Sequence, residues 1–186
     1  MLASGTGTLF EAMLDSGVGA DVVGLITDQS NARAISIAKG REIAVYKVLL
    51  SDFDSRESWE SELLERVEKL GPDLIVAAGF MRILSPAFVE HFPGQIVNSH
   101  PSLLPQYPGA HAVRDAIEAN ATVTGCTVHF IDHGVDTGEI IAQAQVKVQP
   151  GESEAELHER IKAVERALLP QSVEQLLSES FGKGFW

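Results

Sequence analysis

Short apolar runs separated by helical patterns fill the first two thirds of this 186-residue chain and leave few folds open to it. Compact apolar stretches at residues 22–26, 74–78 and 96–98 are each bounded by turn or polar residues. Between them, residues 9–15, 32–39, 56–69 and 86–91 carry helical spacing. Strands that alternate with helices need crossover connections, and crossovers build a parallel sheet covered on both faces. Asp54 stands where it can cap the third helix, with Glu57 as its capping-box partner.

The pattern changes after Pro101. A helix over 112–119 precedes two longer strands, 122–131 and 140–148, joined by the Gly- and Asp-rich residues 132–139. One short connection lets that pair run antiparallel. The last long helix starts at Ser153, and Glu156 closes its capping box. Leu157, Ile161, Val164 and Leu168 step by fours and threes, which gives the helix one face for the sheet. Pro170 is expected to kink or break it. No repeat or linker divides the chain, so one domain is expected over residues 1–186. Met1-Leu2-Ala3 is shorter than a usual buried strand, so the first strand reads as truncated.

Net charge is −12, from 26 acidic and 14 basic residues. That balance argues against a general nucleic-acid surface, which needs excess Lys and Arg to displace counterions. It leaves room for a small anion, because backbone N–H groups hold phosphate whatever the total charge. No apolar run spans a bilayer and no secretory signal is visible. Cys126 is the one cysteine, so no internal disulfide can form, which fits a reducing, cytoplasmic setting. Its Thr and Val neighbours give it the reading of a small buried residue.

Four segments can carry chemistry. Ser4-Gly5-Thr6-Gly7-Thr8 leads from the first apolar stub into a helix. Two glycines let a ligand approach the backbone, and a phosphate fits there, although an ordinary tight turn has the same composition. The third glycine of a dinucleotide fingerprint would fall at Phe10, and a P-loop lysine is absent. Asn98-Ser99-His100-Pro101 closes an apolar strand. Residues two apart on a strand share a face, so Asn98 and His100 can converge on one substrate atom at the carboxyl end of the sheet.

Asp132-His133-Gly134-Val135-Asp136-Thr137-Gly138 has turn composition, which accounts for Asp132 and Gly134. It accounts less well for His133 and Asp136; an Asp reaching His100 would orient the ring and favour its protonated form. Gly79-Phe80-Met81-Arg82-Ile83-Leu84 follows a strand and reads by itself as core packing, with a flat-ring pocket as the alternative. Glu165 reads by itself as a rim ion pair with Arg166 or Lys162. The histidines at 91, 111, 129 and 158 lack metal-ligand spacing, so no metal site is expected.

Taken in order, the Ser4 turn, Ala78-Gly79-Phe80-Met81-Arg82-Ile83-Leu84, the run Asn98-Ser99-His100-Pro101-Ser102-Leu103-Leu104-Pro105 and the Asp132 loop resemble the folate-dependent formyltransferases, in particular the phosphoribosylglycinamide formyltransferases. The resemblance implies a Rossmann-like fold with an antiparallel C-terminal strand pair, small-molecule substrates, 10-formyltetrahydrofolate as co-substrate, and a monomer or weak homodimer. By resemblance, Asn98, His100 and Asp136 are the catalytic trio. Gly7, Thr8, Leu9, Phe10, Glu11 and Glu165 would bind the phosphoribosylglycinamide acceptor. Arg56, Met81, Arg82, Ile83, Leu84, Asn98, His133, Gly134, Val135 and Asp136 would contact the folate. Leu9 replaces a usual Asn and Gln106 a common Lys, and both departures fall on acceptor binding.

Two rivals share the Asn-x-His-Pro run. A methionyl-tRNA formyltransferase would bring a further C-terminal domain and a basic face, and a formyltetrahydrofolate hydrolase a regulatory N-terminal domain. A sugar-phosphate-binding module without catalysis would explain the Gly-rich turn but not the trio.

Overall fold

The computed structural model describes residues 1–183, with side chains through 179. Its elements run α1 (Thr8–Leu14), β1 (Leu25–Thr27), α2 (Arg33–Gly40), β2 (Val45–Lys47), α3 (Arg56–Leu70), β3 (Ile75–Ala77), α4 (Pro86–His91), β4 (Ile96–His100), α5 (Ala112–Glu118), β5 (Val123–Phe130), β6 (Ile140–Lys147) and α6 (Glu154–Lys183). β1 and β2 pair parallel, as do β3 and β4; β5 then runs antiparallel to both β4 and β6. The two halves meet at Leu2, which bridges in parallel to Ile26 on one side and Ala77 on the other. The expected α/β sheet with an antiparallel C-terminal pair is what forms. The N-terminal stub, too short for a strand of its own, occupies the middle of the sheet.

Strand alternation sends successive residues to opposite faces. Ile26, Ile75 and Ile96 pack with Trp59, Leu63 and Val67 of α3 and Phe88 of α4. Val76, Val97 and Val128 face the other way, onto Met13 of α1 and Leu169 and Val173 of α6. Farther along, Cys126 and Val146 meet Val113 of α5 and Leu157 and Ile161 of α6. Of the stripe expected on the last helix, Leu157 and Ile161 are buried and Val164 and Leu168 only partly so; the buried line continues through Glu165 and Leu169. Trp59 is fully enclosed, and its indole N–H donates to the Val48 carbonyl at 2.8 Å, which satisfies its one polar atom.

Three local expectations need correction. The cap of α3 is Ser55, whose hydroxyl accepts from the Ser58 backbone N–H at 3.2 Å, and Ser58 rather than Glu57 closes the box. The helix begins one residue later than the Asp54 cap required. β2 was absent from the expected strands because its three residues are half-buried or exposed and leave no compact apolar run. Pro170 does not break α6, which continues to Lys183. A buried proline in a helix interior costs about 3 kcal/mol, while Leu169 and Val173, both buried beside it, contribute about 1.5–3 kcal/mol each. Packing outweighs the lost hydrogen bond. The capping box of α6 is as expected: Ser153 N–H donates to Glu156 Oε2 at 2.9 Å and Glu156 N–H to Ser153 Oγ at 3.3 Å. No helix among the described residues is long and apolar enough to cross a membrane.

Candidate active site

The catalytic trio expected from the sequence comes together at the carboxyl end of β4. Asn98 and His100 lie on the α3 side of that strand, two residues apart. Asp136 arrives from the loop between β5 and β6. Its Oδ2 lies 3.3 Å from His100 Nδ1 and accepts the Gly109 N–H at 2.8 Å. Asp136 has φ +55°, a left-handed conformation that Asp tolerates better than most residues and that turns its carboxylate inward.

His100 is buried, and both of its ring nitrogens face acceptors. Nε2 is 2.8 Å from the Tyr107 carbonyl, and Nδ1 faces the Asp136 carboxylate. A carbonyl only accepts, so Nε2 carries a proton; the doubly protonated ring is the form that satisfies both neighbours. Burial pushes the Asp136 carboxyl up. The adjacent His129 imidazole and the hydrogen bond from the Gly109 N–H, with the charges of His100 and His129, outweigh burial and hold it below the ordinary carboxylate range.

His129 completes the cluster and was not singled out as a site residue in the sequence. It stands opposite Asn98 in the β4–β5 register. Its Nε2 lies 3.3 Å from Asn98 Nδ2 and 3.6 Å from Asp136 Oδ1, and its Nδ1 is 2.8 Å from the Phe130 carbonyl. Alternation along β5 puts His129 on some face, but only the pairing register says which residue it meets.

The loop after β4 is held from β5 and β6. Thr127 Oγ1 donates to the Ser102 carbonyl at 2.7 Å and accepts the Leu104 N–H at 3.0 Å. Gln143 Nε2 donates to the Leu104 carbonyl at 2.8 Å. The Leu104–Pro105 peptide bond is cis. These contacts set Tyr107 and Gly109 against His100 and Asp136.

At the amino end of α1, Gly7 adopts φ +72° and packs so closely on α2 that an added Cβ would lie 2.8 Å from Ala34 Cα. Leu9 and Phe10 are buried in the core, so only their backbone is available to a ligand. Glu11 pairs with Arg33 at 3.2 Å. The Met81 N–H donates to Ser4 Oγ at 2.9 Å, which ties the 79–84 loop to the Gly-rich turn. Arg82 Nε donates to the buried Asp28 at 2.7 Å, and Arg56 donates to the Ile83 carbonyl. Met81 is 78% exposed and Ile83 66%, while Leu84 is buried. Core packing therefore explains Leu84 and the partly buried Phe80, while Met81 and Ile83 stand exposed on the loop.

Asp132 is the turn residue of its loop, accepting from the Gly134 N–H at 3.0 Å and the Thr137 hydroxyl at 2.7 Å. Its neighbours His133, Gly134 and Val135 are exposed on the same loop as Asp136. Glu165 is not a rim residue. It is 4% exposed and accepts the Ser99 hydroxyl at 2.7 Å from the α6 side of β4. Among the described residues no group of three or more His, Cys, Asp and Glu side chains is placed to hold a metal ion. A groove of about 740 Å³ opens elsewhere, lined by Met13, Val18, Leu74 and Val173, and none of the trio lines it. Its lining also includes Asp21, Asp73 and Glu174, and no histidine.

The formyl transferase family profile matches residues 1–173. The phosphoribosylglycinamide formyltransferase of Mycobacterium tuberculosis is 46% identical over 179 residues, spanning 95% of this chain and 83% of that protein. The Escherichia coli protein of the same name is 39% identical over 174 residues, 91% of this chain and 82% of the relative. The crystal structure of phosphoribosylglycinamide formyltransferase from Bacillus halodurans superposes with a TM-score of 0.91 at 38% identity, over 100% of this chain and 97% of that one. Fold, sequence and the cluster around His100 agree, and the chain belongs to the formyl transferase family.

Proposed function

We propose that this protein transfers the formyl group of 10-formyltetrahydrofolate to the amine of N1-(5-phospho-β-D-ribosyl)glycinamide, giving the N-formyl product and tetrahydrofolate in purine biosynthesis. The observation that carries the reading is the buried His100 with both ring nitrogens facing acceptors, beside Asn98 and 3.3 Å from Asp136.

The amine of the acceptor attacks the formyl carbon, and a tetrahedral oxyanion forms. Asn98 Nδ2–H and the imidazolium of His100 are the donors for that charge; His100 must exchange the Tyr107 carbonyl for the oxyanion as it develops. Asp136 holds the ring and balances its charge. The C–N10 bond then breaks, and the proton lost by the amine reaches N10 through His100 or a water held by Asp136. Gly7, Thr8, Leu9, Phe10 and Glu11 would supply the acceptor's phosphoribosyl site, Leu9 and Phe10 through their backbone. The exposed Met81 and Ile83, and His133, Gly134 and Val135 of the second loop, would flank the folate. Arg56 fixes the far end of the 81–84 loop through the Ile83 carbonyl. Holding both substrates in line supplies much of the rate.

The test is to mix the protein with 10-formyltetrahydrofolate and phosphoribosylglycinamide and follow loss of the formyl donor spectroscopically. Turnover that depends on the acceptor is expected. Equal turnover without acceptor would make the protein a hydrolase, and no turnover would overturn the enzymatic reading.

A further inference from the structure

Ser99 sits between the catalytic Asn98 and His100 in sequence but points to the opposite face of β4. There its hydroxyl donates to Glu165 Oε1 at 2.7 Å, across 66 residues of chain. Ser99 is 8% exposed and Glu165 4%. Among the described residues, Ser99 is the one hydrogen-bond partner of that carboxyl. Lys162 and Arg166 lie on the same helix, yet neither forms an ion pair with Glu165; Lys162 pairs with Glu159 instead. Cys126 on β5 also faces the carboxyl, and its own burial with the Glu165 charge pushes the thiol up to about 12, so it stays neutral.

Glu165 Oε2 is not among the described side-chain atoms enclosed without a partner, so it is open to a donor from outside the protein. Ser99 occupies Oε1 and leaves Oε2 for another donor. From the α6 side of β4, that donor is not the reacting amine, which belongs with Asn98 and His100 on the other face. It belongs to the rest of the acceptor, where hydroxyl groups are the available donors.

We propose that Ser99 is a positioning residue that orients the Glu165 carboxylate so that its free oxygen receives a hydroxyl of the acceptor. The assignment rests on the acceptor reading above. One strand then serves both sides of the substrate: Asn98 and His100 address the reacting group, and Ser99 acts through Glu165 on the portion that is bound but not changed. Burial raises the Glu165 carboxyl above its ordinary value; the Ser99 hydroxyl, then Lys162 and Arg166, pull it back. Removing the hydroxyl raises it further. The ionised form that accepts the substrate hydroxyl is then lost at higher pH.

The experiment compares Ser99→Ala and Ser99→Thr with the wild type in steady-state kinetics over a pH series, with a ¹³C NMR titration of the Glu165 carboxyl. Ser99→Ala is expected to raise KM for the acceptor about tenfold, the loss of one hydrogen bond to a charged group. Its effect on kcat and on KM for the folate is much smaller. The acid limb of kcat/KM for the acceptor and the Glu165 titration both move to higher pH, and Ser99→Thr restores all three. An acceptor KM, pH profile and Glu165 titration that match the wild type in Ser99→Ala would overturn the proposal. Because the NMR titration needs no substrate, a shifted titration in a protein that does not formylate this acceptor upholds the Ser99–Glu165 link and sinks only the acceptor reading.

Discussion

Asp136 Oδ2 lies 3.3 Å from His100 Nδ1, although the two residues come from a loop and a strand end 36 positions apart. A carboxylate at that distance does two things. It gives the ring one orientation, with Nδ1 toward Asp136, and it supplies the counter-charge for an imidazolium. Replacing His100 by Ala removes a positioned donor and acid, and kcat is expected to fall about a hundredfold or more. Turnover near the wild-type rate would remove His100 from the mechanism.

Asp136→Asn separates charge from shape. The amide keeps the Gly109 contact but not the counter-charge, so kcat falls while the fold is kept. The stability effect has a defined sign. The folded-state value of Asp136 is depressed below its unfolded value of about 3.9. Its contribution is therefore fully present above that unfolded value and is lost as pH falls through the lower folded value. Urea unfolding of wild type and Asp136→Asn should differ at neutral pH and converge in strong acid. A constant difference across that range would count against a folded-state charge on Asp136.

Gly7→Ala tests the turn proposed to hold the acceptor. The new Cβ would lie 2.8 Å from Ala34 Cα, at a φ of +72° that disfavours any side chain. Strain and overpacking are each worth about 1–3 kcal/mol. Chemical denaturation should show at least that loss, and acceptor KM should rise as the turn shifts. Wild-type stability would mean that α1 and α2 can move apart at no cost.

Arg82 and Asp28 form a partly buried pair, Arg82 34% exposed at its side chain and Asp28 1%. Among the described residues Asp28 Oδ1 is enclosed without a hydrogen-bond partner, and the carboxylate is supported at Oδ2 by Arg82 at 2.7 Å and the Gln29 amide at 3.2 Å. Arg82→Ala leaves an enclosed carboxylate with less support and is expected to cost about 1–3 kcal/mol, the penalty for an unsatisfied buried group. That is less than for a fully buried pair, because solvent reaches the guanidinium. Adding Asp28→Asn should recover much of the loss, which a double-mutant cycle measures. Additive effects would show that the two side chains do not interact.

Cys126 is fully buried, and desolvation with the nearby Glu165 charge pushes its thiol up to about 12. The thiolate is the reactive form. A thiol reagent at neutral pH should leave native protein unlabelled and label it stoichiometrically in denaturant. Fast labelling of the native state would show that β5 opens to solvent.

Much of this was legible in the sequence. The alternation of apolar runs and helical patterns prescribed a mostly parallel sheet, because each pattern sets which face of its own element is apolar. The Ser153–Glu156 cap and the shared face of Asn98 and His100 are local as well, fixed by residues within one turn or two strand positions. What the sequence left open was decided between distant segments. His129 meets Asn98 because β5 pairs with β4 in one register, and a slip of one residue would turn it away. Glu165 looked like a rim charge until α6 laid it on Ser99. Arg82 meets Asp28, 54 residues away, only in the folded chain. Pro170, expected to kink or break the helix, stays inside α6 with Leu169 and Val173 buried around it. Local periodicity records how a segment divides its own apolar and polar sides. It does not record which other segment will lie against each side, and that packing choice is where the donors, charges and compensations of this site were set.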